Sequence, residues 1–392
     1  MAALRRITPA ERRTRLARRH LLTPSTRTKT PEQVAEALVG LHATDPATVF
    51  LAAAARMAAP TVTAVEAALY DEPVPSLARL RCMRRTMFVT PARLAPTLRA
   101  GTSRNAHRNR GDVVHRLREA VGWDETRYAA AEQRALAALA EHCALTSAEL
   151  ANAVPALREQ IVTYPGKPYE SRQRVCAHVV GVLAEEGRIR RTRPAGSWTS
   201  AQFRWTLARP LPHLPAAESM TALARHYLAA YGPATAADLK WWTGWSLTDT
   251  RKAITATDAE AVELDEGTGY LLPEDNRIPA TAEPWVALLP GLDSTPMGWR
   301  HRDWYLDPEH TKALFDRNGN IGPTIWADGR IVGAWAQRPD GHINHTLLTD
   351  PGEKARTAIE TEAARLTVFL AGTRVTPAYR TPLERHLATT TP

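Results

Sequence analysis

The chain has 392 residues, enough for several domains, and a formal net charge of +9 that suits a polyanionic partner. Its three cysteines, Cys82, Cys143 and Cys176, are too widely spaced to suggest a disulfide framework or a zinc site. No apolar run reaches membrane-spanning length, and the Arg-rich N-terminus lacks the apolar core of a secretory signal, so a cytoplasmic protein is expected.

The first thirty or so residues read as a basic arm with a short helix around Pro9 to His20. Thr30-Pro31 is a helix cap with proline at the first position. The helix it opens, Glu32 to about Leu41, would place Val34, Ala37, Leu38 and Leu41 on one face. Asp45-Pro46 repeats the device before an Ala47–Met57 helix, and a third helix is expected over Val62–Tyr70. Cys82–Val89, carrying Arg84 and Arg85, reads as a basic strand ended by Pro91. Three helices and a basic strand make a first winged-helix candidate. A helical stretch with His107, Arg108 and Arg110 leads to Gly122-Trp123.

Thr146 and Glu149 then form a capping box. Arg172-Gln173-Arg174-Val175 is expected to open a helix with Val175, Val179, Val182 and Leu183 on its apolar face. Gly187 stops it, and a basic strand with Arg188, Arg190, Arg191 and Arg193 turns back through Gln202–Leu207. Helix, helix, basic hairpin is the order of a winged helix, whose usual partner is duplex DNA. A winged helix used for protein contacts is the alternative.

A proline-rich break at Arg209–Pro215 precedes a third unit. It comprises a helix over Ala222–Tyr231, a helix capped by Thr235 and running through Trp241-Trp242, a helix from Asp249, and a hairpin of Val262–Leu264 with Tyr270–Leu272. Glu263, Asp265 and Glu266 make this hairpin acidic, so it is expected to pack rather than touch DNA. Beyond about residue 283 come a strand at Val286–Pro290, a hairpin over Thr324–Trp335 turning at Asp328-Gly329, a strand at His342–Leu348 and a helix over Glu353–Leu370. The expected fold is α+β and helix-rich: tandem winged-helix units followed by a small β-rich C-terminal domain, divided as 1–128, 129–213, 214–282 and 283–392.

Four stretches carry a resemblance covering nearly the whole chain: Leu38–Pro46, Tyr231–Gly244, Leu288–Asp293 and Asp328–Trp335. On these the chain resembles the winged-helix DNA-binding family that includes bacterial DNA glycosylases excising bulky alkylated bases, of the azinomycin-resistance and crosslink-unhooking type. The resemblance implies a basic channel formed by tandem winged helices. It also implies a catalytic motif of Gln, an aliphatic residue, then Gln or Asp, which falls on positions 42 to 44. Here those positions hold His42, Ala43 and Thr44, so both polar residues differ.

An N-alkylated purine is cationic and leaves without a general acid, so the enzyme has to position water and tolerate positive charge on the sugar. A neutral His42 suits that water near pH 7, with Thr44 hydrogen-bonding to it. Alternatively, His42 is a satisfied residue at a helix end. Asp45 is a further candidate, though the following Pro46 makes it a helix cap first. Arg84, Arg85, Arg172, Arg174, Arg188, Arg190, Arg191 and Arg193 are the candidate DNA-binding residues. Asp293 reads as a turn residue or a charge near the channel. His342 and His345 suit a surface better than a metal, and Trp241, Trp242 and Trp245 suit a core better than base stacking. The expectation is a cofactor-free, metal-free monomer on double-stranded DNA, acting as a DNA glycosylase. The alternative is a non-catalytic regulator, which would dimerise to read half-sites.

Overall fold

The computed structural model describes residues 4–71, 74–102, 106–163, 166 and 170–390. The His107 and Arg108 side chains lie outside the described residues. The chain gathers into two compact units, one of Met1–Ala78, Cys82–Thr102 and Pro215–Pro392, the other of Arg79–Arg81 and Ser103–Leu214.

The first unit opens with α1 (Pro9–Arg19) and α2 (Pro31–Ala37), the latter started by a capping box of Thr30 and Gln33. α2 is shorter than its apolar pattern predicts. Val39 turns into the left-handed region at φ 59°, and Leu41–His42 become strand β1 instead of a last helical turn. The Tyr231 hydroxyl donates to the Leu38 carbonyl at 3.0 Å, satisfying a group that the broken helix leaves open. α3 (Pro46–Arg56) and α4 (Val62–Tyr70) follow, then β2 (Leu77–Arg81), whose Arg79–Arg81 group with the second unit, and β3 (Met87–Pro91).

The expected strand over Cys82–Val89 is therefore a hairpin tip followed by a strand. Thr86 N–H donates to the Met83 carbonyl at 3.0 Å, and the two residues between, Arg84 and Arg85, have φ of 49° and 61°. That is the mirror-image turn whose twist fits a hairpin, built here without glycine. α5 (Ala95–Thr102) closes this part.

The second unit holds α6 (Ala106–Val121), α7 (Glu125–His142), β4 (Leu145–Thr146), α8 (Ser147–Ala153), β5 (Gln160–Thr163), β6 (Ser171–Arg174), α9 (Val175–Glu185), β7 (Ile189–Pro194) and β8 (Phe203–Leu207). Arg172 and Arg174 do not open a helix. They sit on β6, opposite Val162 and Gln160, and α9 begins only at Val175. The ladder with β5 claims these backbone groups first. Trp123, Tyr128, Leu150, Val175, Val179, Leu183 and Trp205 form the core of this unit.

The first unit resumes with α10 (Ala216–Tyr231), β9 (Ala234–Thr235), α11 (Ala236–Thr243), α12 (Leu247–Thr255), β10 (Glu260–Leu264) and β11 (Gly267–Leu271). α10 starts six residues before the expected Ala222. The remaining elements are β12 (Val286–Leu289), α13 (Thr311–Leu314), β13 (Thr324–Ala327), β14 (Arg330–Gln337), β15 (Ile343–Leu347), α14 (Glu353–Leu370) and α15 (Pro382–Thr389). β12 to β15 pair in sequence order, turning between β13 and β14 at Asp328 and Gly329, both of positive φ. The fold is mixed helix and strand with small antiparallel sheets. Three of the sheets share one strand order, β1-β3-β2, β4-β8-β7 and β9-β11-β10, with the last strand of each segment in the middle.

The acidic β10–β11 hairpin packs against the N-terminal arm. Ile7 donates to Glu263 and Glu263 to Arg5, each at 2.9 Å, while Arg6 pairs with Asp265 and Arg12 with Glu266. Arg15 pairs with Glu11 and Arg19 with Asp275, both at 2.7 Å.

A fully buried ion pair joins α3 to the loop after β12. The Arg56 guanidinium meets both Asp293 oxygens at 2.9 and 2.7 Å. Its other N–H groups donate to the carbonyls of His20 and Ala52 and to the Thr295 hydroxyl. Asp293 is thus a core anchor as well as a turn residue, its N–H donating to the Pro290 carbonyl and its carboxylate accepting from Thr295 N–H. Asp293→Asn leaves a buried guanidinium without counter-charge and is expected to cost about 3–5 kcal/mol, read by chemical denaturation. A cost under about 1 kcal/mol would show that the pair is not what anchors the loop.

Candidate active site and nucleic-acid interface

His42-Ala43-Thr44-Asp45 runs from the end of β1 into the cap of α3. β1 is gripped from two sides. Leu41 and His42 pair with Val89 and Phe88, and the Ser294 hydroxyl accepts from His42 N–H at 3.2 Å while donating to the Gly40 carbonyl at 2.9 Å. The imidazole is 4% exposed and meets the Phe88 ring edge-on at 5.0 Å.

Its Nδ1 is buried and has no hydrogen-bond partner among the described residues. Burial, and secondarily the charge of Arg84, lower its pKa from 6.5 to about 3, so the ring is neutral at physiological pH. Two residues on, the Thr44 hydroxyl is likewise buried and unpartnered. Native proteins rarely leave such groups dry and unpaired, and the pair marks a place for water or substrate atoms. Asp45 is different. One carboxylate oxygen accepts from Ala47 N–H at 3.0 Å as the cap of α3, and the other accepts from Ala378 N–H at 2.8 Å. Burial raises its pKa against the pull of these amides.

Arg84 reaches from the β2–β3 tip onto Trp241 of α11, its guanidinium 4.0 Å from the ring centroid. Arg302 packs on the same indole at 5.0 Å and on Phe315 at 5.0 Å. Burial, then the charge of Arg302, bring the Arg84 pKa down to about 10. Arg84 Nη1 and Arg302 Nε are buried N–H groups without a partner, and neither arginine makes an ion pair among the described residues.

Asp238 sets this arrangement. One of its oxygens caps α11 through Thr235, and the other accepts from Arg300 and His301 N–H at 2.9 Å each. One carboxylate therefore ties the helix that carries Trp241 to the loop that carries Arg302. Trp242 and Trp245 are core residues, the first against Tyr227 and Tyr231 and the second donating to the Gly101 carbonyl. Arg302 escaped the sequence reading. The available signal was the basic triplet Arg300-His301-Arg302 between Trp299 and Trp304.

In the second unit, β6 and the β7–β8 hairpin carry the remaining basic candidates. Arg188 is exposed but pairs with Glu132 at 2.9 Å. Arg191 lies over Phe203 and Trp205 at 5.0 and 5.1 Å, its pKa lowered to about 10 by burial and then by Arg79 and Arg81. Arg190 is half-buried, and Arg193, Arg172 and Arg174 are exposed. The candidates thus divide: His42, Thr44, Asp45, Arg84 and Arg85 in the first unit, the others in the second. His345 lies 3.6 Å from Glu360, and no cluster of three His, Cys, Asp or Glu among the described residues could hold a metal ion.

The comparisons with known proteins agree on one relationship. A curated interstrand DNA cross-link repair glycosylase of Streptomyces sahachiroi is 32% identical over 157 residues, which is 38% of this chain and 42% of that protein. The match thus spans less than half of the curated relative. The solved structure of Streptomyces sahachiroi DNA glycosylase AlkZ superposes with a TM-score of 0.70 at 22% identity, covering 94% of this chain and 98% of the other, and so shares the fold. The family described as DNA glycosylase AlkZ-like matches residues 35–369, most of the chain, and the chain belongs to that family.

Proposed function

We propose that this protein is a monofunctional DNA glycosylase that releases bulky N-alkylated purines from double-stranded DNA, as a cytoplasmic monomer without cofactor or metal. The observation that carries this reading is the pair of buried, unpartnered polar atoms, His42 Nδ1 and Thr44 Oγ1, at the positions where the family resemblance places its catalytic motif. We further propose that the three segments of common strand order are winged helices, and that the second supplies a wing through Arg190, Arg191 and Arg193. Arg172 and Arg174, exposed on β6, are proposed as further residues that bind the DNA backbone, and Arg85 as one beside Arg84.

The chemistry follows from charge. Alkylation makes the purine a cation, so the glycosidic bond breaks with both electrons leaving on the base, and no general acid is needed. Positive charge appears on the sugar. Neutral His42 and Thr44 hold a water by hydrogen bonds for attack at C1′. Water bound to that carbon is a strong acid, so even an imidazole of pKa about 3 takes its proton and passes it to solvent. Asp45, with both oxygens held by amides, orients the motif by capping α3.

His42→Ala is expected to abolish base release in single-turnover assays on duplex carrying an alkylated guanine, with DNA affinity nearly unchanged. His42→Gln, which restores a residue of the resembled motif, is expected to keep part of the rate. An alanine variant at wild-type rate would remove His42 from the mechanism.

The sign of the pKa shift gives a second outcome. A base depressed to about 3 is already in its working, neutral form above that value, so the rate is expected to stay flat through the ordinary imidazole range near pH 6.5. A step in the pH–rate profile near 6.5 that His42→Gln abolishes would contradict it.

Neutralising Arg190 and Arg193 together is expected to weaken binding to all duplex sequences alike. The slope of log affinity against log salt should fall by about 0.9 for each phosphate that the variant no longer neutralises. An unchanged slope would mean that this hairpin does not track the backbone.

A further inference from the structure

We propose that Arg84 and Arg302, seated together on Trp241, form a binding site for one backbone phosphate of DNA beside His42. The inference rests on the DNA reading above and adds to it a residue, Arg302, outside the motif and the wing.

Four observations carry it. First, two guanidiniums share one indole with no carboxylate between them. Each contributes a buried N–H without a partner, Arg84 Nη1 and Arg302 Nε. Bringing like charges together out of water is unfavourable unless an anion joins them. Second, most buried or half-buried arginines elsewhere in this unit are paired with a carboxylate, Arg13 on the Trp304 carbonyl being an exception. Arg12, Arg19, Arg56 and Arg380 lie on Glu266, Asp275, Asp293 and Glu384. The Arg84–Arg302 pair departs from the pattern of its own unit.

Third, the arrangement is built, not incidental. Arg84 occupies a left-handed position at a glycine-free turn, and Asp238 fixes the loop before Arg302 through two backbone N–H groups. Stacking on an aromatic plane leaves the edge of a guanidinium free for the paired hydrogen bonds that match phosphate oxygens. Fourth, Arg84 is near enough to His42 to lower its pKa. A site that develops positive charge on a sugar is hindered by bare cations. A phosphate bound between the arginines removes that penalty and registers the sugar against His42.

The test uses duplex DNA with a tetrahydrofuran abasic analogue and uncharged methylphosphonates placed one at a time at the surrounding phosphates. One position is expected to weaken wild-type binding by roughly tenfold or more. At that position the methylphosphonate should cost Arg302→Gln nothing further, and this variant should show a salt slope smaller by about 0.9. If Arg302→Gln does not fold, judged by circular dichroism, Arg302→Met serves in the same cycle, since it also removes the charge and keeps an unbranched chain against Trp241.

The proposal is overturned if the effects of Arg302 substitution and of methylphosphonate multiply independently at every position. It is also overturned if no position is sensitive while inorganic phosphate raises the melting temperature of wild type and not of the variant, which would make the site one for free phosphate. The analogue carries no base, so the result can be read whether or not the protein releases one. Absence of base release from alkylated duplex sinks the glycosylase reading alone, and normal release with independent effects sinks the phosphate site alone.

Discussion

The Arg56–Asp293 pair is the constraint on which the first unit depends. A charge with no exposure to water is tolerable only when every donor and acceptor has a partner, and here the arginine satisfies Asp293, Thr295 and two carbonyls at once. Residues far apart in sequence are fixed in one place as a result. Ser294, between the two loop residues that Arg56 holds, is the residue whose hydroxyl bridges the Gly40 carbonyl and His42 N–H. The position of the candidate water-binding residue is therefore inherited from an ion pair in the core. Asp238 does the same for the other half of the site, linking α11 to the loop before Arg302.

Charge needs to be followed residue by residue. The net charge of +9 and the arginine-rich N-terminus suggest a DNA-binding arm, yet Arg6, Arg12, Arg15 and Arg19 all meet carboxylates within the same unit. Arg188 of the basic hairpin is engaged by Glu132. Total charge overstates what is available to a polyanion. The pair on Trp241, modest in number, has no carboxylate partner among the described residues, as Arg13 on the Trp304 carbonyl also has none.

Much of the fold was legible where local signals agreed. The Val62–Tyr70 helix, the Thr146 and Thr235 capping boxes, the Asp328-Gly329 turn and the Glu353–Leu370 helix each follow from caps, turn residues and periodicity. The failures came where a distant partner outvoted the local pattern. Leu41 continues a helical face but is claimed by Val89, Arg172 and Arg174 precede a helix but are claimed by β5, and Arg84-Arg85 looks like strand but forms a turn without glycine. For the candidate site, the sequence singled out His42 and Thr44 through the resembled motif. It did not show that their polar atoms are buried and unpartnered. It also passed over Arg302, because only the fold brings that residue to the indole that Arg84 occupies.

The turn at Arg84-Arg85 sets stability against use. Two consecutive non-glycine residues with positive φ cost about 1–2 kcal/mol each, and Asn-Gly would form the same turn with little strain. A selection for thermal robustness would favour that exchange and would discard the guanidinium resting on Trp241. Consensus-style stabilisation of this chain would thus remove the proposed phosphate site at this hairpin first, even though no residue of the His42 motif had been touched.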